Sequence, residues 1–97
     1  MRHEVPTVFV HGHAPPLDVE YVDAQLCDAL LRTRSVRYSI LWIDVIEPEP
    51  VMVGIEAGFA AGPVETHASG SDVRAAGDAC IAAFLERVQP VVIERLA

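Results

Sequence analysis

His11 and His13 close an apolar stretch, VPTVFVHGH, two residues apart, so a strand there would present both imidazoles on one face. Two imidazoles so placed are half of a transition-metal site, with His67 or Asp44 as further ligands. No third ligand has a diagnostic spacing, and the pair reads first as a polar cluster at a loop end. Glu47 and Glu49 are spaced for an acid/base pair, but Pro48 and Pro50 make them a solvated turn. The segment SGSDVRAAG, residues 69–77, resembles an anion-binding loop entering a helix. It lacks the glycine spacing of a phosphate loop, which leaves a plain helix start. Arg37 suits bidentate capture of a carboxylate, or a surface ion pair with Asp44. Pro6 stands at the head of the strand, either as an ordinary edge-strand proline or as the remnant of a catalytic N-terminal one.

Composition limits what these residues can serve. Ninety-seven residues make one domain, spanning 1–97, with a single core. Net charge is −7 and every cation is arginine. Such a chain, with no basic stripe, is a poor match for nucleic acid or for an anionic membrane. The 52% hydrophobic content and mean hydropathy of +0.31 are high for so short a chain, and point to a homo-oligomer that buries the excess. Cys27 and Cys80 read as buried, reduced thiols on apolar helix faces. No stretch reaches the roughly 18 apolar residues of a membrane span, and no signal-peptide core leads the chain, so the cytoplasm is the expected location. No cofactor and no metal is expected.

The elements that must position these residues follow from periodicity. Residues 7–11 read as a first strand, and Asp18 as the cap of a helix whose stripe is Val19, Val22, Leu26, Ala29 and Leu30. Residues 37–47 read as a long strand with Leu41, Ile43 and Val45 on one face. Tyr38, Ile40, Trp42 and Ile46 lie on the other, so helices should cover one side and another subunit the other. Residues 51–59 are a third strand, weakened by Gly54 and Gly58. AAGPVETHASGS reads as a loop ending in the helix cap Ser71. A second helix then carries Val73, Ala76, Gly77, Cys80, Ile81, Phe84, Leu85 and Val88, with Gly77 letting its backbone approach the sheet. Pro90 should end it, and VVIE should form the fourth strand. The expected fold is α+β, β-α-β-β-α-β, a four-stranded mixed sheet with two helices on one face.

Pro6 opening the first strand, SVR at residues 35–37 opening the second, and a helix ending LER before a last strand together resemble the tautomerase superfamily, typified by 4-oxalocrotonate tautomerase and macrophage migration inhibitory factor. That resemblance implies a homotrimer and an isomerase acting on a small enol or keto carboxylic acid. It makes Pro6 the catalytic base and Arg37 the carboxylate clamp, with His13 where the oxalocrotonate enzymes place another arginine. Trp42 or Phe59 would supply the apolar wall that lowers the pKa of a proline amine. As written, Pro6 is internal and its nitrogen is an amide with no proton to exchange. Translation starting at Val5, whose codons include GTG, would free it. The same element order is shared by the ferredoxin-like sandwich, and then the chain would be a non-catalytic, small-ligand-binding or structural oligomeric module.

Overall fold

Alternating apolar residues build a sheet with one buried face, and two amphipathic helices cover it. The structure is a computed structural model that describes residues 5–33 and 35–96, with side chains as far as Val88. The elements are β1 (Thr7–Gly12), α1 (Pro16–Leu31), β2 (Tyr38–Val45), β3 (Val51–Phe59), β4 (Gly62–Gly70) and α2 (Val73–Leu96). The strands lie in the order β1-β2-β3-β4. β1 pairs parallel to β2 across the α1 crossover, while β3 and β4 follow as antiparallel neighbours.

The class is as expected: α+β, a four-stranded mixed sheet and two helices on one face. The two-layer sandwich of the ferredoxin-like reading fits that arrangement. The sequence of the last elements differs, because β4 occupies the segment read as a loop and VVIE lies inside α2. The inward residues of β4 are Val64, Thr66 and Ala68, too small to make a visible apolar alternation. Pro63 is tolerated because β4 is an edge strand. The helix continues through Pro90, which has no N–H to give the Glu86 carbonyl. The LER of residues 85–87 is therefore mid-helix, followed by more helix, and that part of the tautomerase pattern disappears.

The helix starts also differ from expectation. α1 begins with Pro15 at its cap position and proline in the first turn, which leaves Asp18 inside that turn. At α2, the Ala75 N–H donates to Asp72 Oδ1 at 2.8 Å, so Asp72 is the cap and not Ser71.

The core lies between the helices and one sheet face. Val22, Leu26, Leu41, Ile43, Val53, Ile55, Cys80 and Phe84 are fully buried there. Cys80 donates its S–H to the Thr66 carbonyl at 3.4 Å, and both cysteines are free thiols. The two helices are clasped at their surface. Arg74 lies 4.5 Å over the Tyr21 ring and donates to Asp18 Oδ1 at 2.8 Å, while the Tyr21 hydroxyl donates to Asp78 at 3.0 Å. Arg87 Nη1 donates to the Glu65 carbonyl at 2.9 Å, tying α2 to edge strand β4.

Gly77 admits a close approach of the two helices, where the sequence suggested helix and sheet. A Cβ there would stand 2.6 Å from Val22 Cγ2, a fully buried methyl. Gly77→Ala should therefore cost about 1 kcal/mol or more, the clash outweighing the helix propensity gained. Adding Val22→Ala should recover part of the G77A penalty. Denaturant midpoints of the four forms check this, and strictly additive penalties would contradict the contact.

Candidate functional site: the open face of the sheet

The expected site residues fall at more than one place on the sheet. Pro6 is buried ahead of β1, and Arg37 is exposed immediately ahead of β2. They share one end of the sheet, because Thr7 lies opposite Ile40 in the parallel register. Arg37 is held by its backbone N–H, which donates to the Gly58 carbonyl at 2.8 Å. His13 is exposed beyond the opposite end of β1, about 20 Å of strand from Pro6. Phe59, at the end of β3, packs against the core on the helix side. Trp42 sits on the other side of the sheet, half-buried. These five do not form one cluster.

Among the described residues, no group of three histidine, cysteine or carboxylate side chains is placed to hold a metal. His11 Nδ1 stands 3.9 Å from Asp44 Oδ1, with both side chains well exposed. His67 Nε2 stands 3.5 Å from Glu65 Oε2 on a different strand. Glu47 and Glu49 are exposed in the β2–β3 turn.

What the strands do assemble is the sheet face turned away from the helices. Strand register sets Phe9, Trp42, Gly54 and His67 in one row across all four strands. The next row is Thr7, Ile40, Glu56 and Glu65, and beyond it Tyr38 lies opposite Gly58. On the other side of the Trp42 row come His11, Asp44, Met52 and Ser69. Phe9 is 52% exposed, Met52 41% and Tyr38 40%, an apolar and aromatic surface with no helix over it among the described residues.

Two glycines give this surface its shape. A Cβ on Gly54 would come 2.7 Å from His67 Cδ2 and 3.4 Å from Trp42 Cε3, and one on Gly58 would fall on the Tyr38 ring. The His67 and Tyr38 rings therefore lie down over bare backbone. Glu56 lies between the two glycines on β3. The Tyr38 hydroxyl donates to Glu56 Oε2 at 2.6 Å. That bond holds the phenol proton and raises the Tyr38 pKa above its usual value, helped by partial desolvation and by the charges of Glu56 and Glu65.

The even positions of β2, Tyr38, Ile40 and Trp42, were legible as one apolar face. Glu65 and His67 were hidden because their segment looked like a loop. The glycine spacing around Glu56 was visible, but it was taken as a weakness of the strand.

No family model matches the chain, and no curated protein matches it. In structure it is similar to the Thermus thermophilus Protein Y N-terminal domain, with a TM-score of 0.74 at 12% identity. The match covers 92% of this chain and 99% of that one. At such identity the likeness is one of fold. It overturns the tautomerase resemblance, and the isomerase activity and homotrimer that rested on it lose their support. Pro6, SVR and LER match the tautomerases by order alone, because the fourth strand precedes α2 and VVIE lies within that helix.

Tyr21 and Tyr38 are the two tyrosines of the sequence, and each donates to a carboxylate. The Tyr21 pKa is raised too, chiefly by its hydrogen bond to Asp78. A raised folded-state pKa means stability present below the ordinary phenol value of about 10 and lost as pH climbs through the folded value. Phenolate absorbance should show both groups ionising above pH ~10 in the folded chain and near it in denaturant. Glu56→Gln should return half of the amplitude toward the ordinary midpoint. Two phenols titrating normally in the folded protein would contradict both contacts.

Proposed function

We propose that the chain is a non-catalytic association module that works by docking a partner protein on the open face of its sheet. The observation that carries this reading is the band of Phe9, Trp42 and Met52 beside Tyr38 and Ile40, which no described element covers. A chain that buries one sheet face thoroughly yet leaves aromatic side chains on the other gains free energy by covering them, at roughly 25 cal/mol per Å² of apolar surface. The fold supports the reading as well: it is a two-layer sandwich, similar in structure to the Thermus thermophilus Protein Y N-terminal domain.

Oxidative footprinting tests it. In the purified chain at low concentration, Met52 and Trp42 should oxidise readily. In an extract of the cells that make the protein they should be protected. Phe9→Asp should leave the chain folded and abolish the protection. Equal oxidation rates in both settings, or protection that survives Phe9→Asp, would remove this surface from the function.

A further inference from the structure

The charge on the open face selects among the partners that could cover it. The four strands carry Asp44, Glu56 and Glu65 and contain no arginine. Among the described residues, arginine lies instead in helices and connecting segments, where Arg32 pairs with Asp28, Arg74 with Asp18, and Arg87 with the Glu65 carbonyl. Glu56 and Glu65 stand directly opposite each other on antiparallel strands, an arrangement in which like charges repel. Glu56 accepts one hydrogen bond, from a neutral phenol, and Glu65 has a histidine at 3.5 Å. Among the described residues, no arginine side chain lies within ion-pair distance of either carboxylate. The flanking rings of Tyr38, Trp42 and Phe9 offer faces that attract a cation.

From this charge pattern we infer that the open face docks a basic polypeptide segment, one that sets arginine or lysine side chains between Glu56 and Glu65 and apolar side chains on Trp42, Phe9 and Met52. The inference rests on the docking reading above and adds the partner's chemistry to it. A second copy placed face to face would bring one acidic sheet face against another in a chain of net charge −7, which opposes that pairing. A basic segment relieves the Glu56–Glu65 repulsion and gains from the rings together.

The sequence has one tryptophan, Trp42, so its fluorescence reports on this face alone. The probe is a short peptide alternating arginine and leucine, compared with its glutamine-for-arginine analogue. The arginine peptide should shift the Trp42 emission, with an affinity that falls as salt rises. The analogue should bind at least about tenfold more weakly, and E56Q/E65Q should lose a similar factor. Circular dichroism confirms that this variant is folded, and E65Q alone should raise the denaturant midpoint by removing the repulsion. Equal binding of the two peptides, or unchanged affinity in E56Q/E65Q, would overturn the cationic partner while leaving the docking face standing. So would self-association that buries Trp42 with no response to either peptide. Arginine-peptide binding unaffected by Phe9→Ser would show instead that the face itself is not the docking surface, and the proposal would fall with it.

Discussion

A four-stranded sheet has two faces, and two helices can cover one. Every other feature follows from that limit. The helix-facing residues Leu41, Ile43, Val53, Ile55 and Ala57 are fully buried, as are Val22 and Leu26 from α1 and Phe84 from α2. Both helices reach the same face because Gly77 lets α2 run close to Val22. Their outer edge is tied by Arg74, which serves Asp18 and the Tyr21 ring together. Exposed contacts of this kind contribute little singly, about 0.5–1 kcal/mol for the ring and less for the ion pair. Stability therefore comes from the one shared core, and the second face adds little to it.

That second face is free to serve association. Its rings lie flat because Gly54 and Gly58 leave room, and those glycines remove side chains from a strand that would be stronger with them. Its carboxylates are concentrated where arginine is missing from the strands. Edge protection differs on the two sides. β4 is guarded by Pro63 and by Arg87 on the Glu65 carbonyl, whereas the exposed β1 carries neither charge nor proline within Thr7–Gly12.

The two-faced character of β2, the bounds of β3 and the stripe of α1 were legible because large apolar residues recur there at the period of their element. β4 was not, since Val64, Thr66 and Ala68 bury little area and Gly and Pro bracket them. The continuation of α2 was masked by Pro90, whose local preference against helix is strong and was overridden. Among site residues, Trp42, expected as the apolar wall of a pocket, lies half-buried on the helix-free face of β2. Pro6, Arg37 and His13 were chosen by a chemistry that the strand order spreads to two ends of the sheet. Glu56 and Glu65 emerge as neighbours through a pairing across β3 and β4, which no spacing along the chain reveals.

Collisional quenching of Trp42 fluorescence tests most directly whether the aromatic face is open and acidic. Neutral acrylamide should quench it efficiently in the folded chain. Relative to free N-acetyltryptophanamide, caesium should be favoured over iodide at low salt, because Glu56, Glu65 and Asp44 draw a cation to the ring and repel an anion. The difference should shrink in E56Q/E65Q. A tryptophan that resists all three quenchers in the dilute chain, or one for which the same reference shows iodide favoured over caesium, would contradict an exposed, negatively charged sheet face.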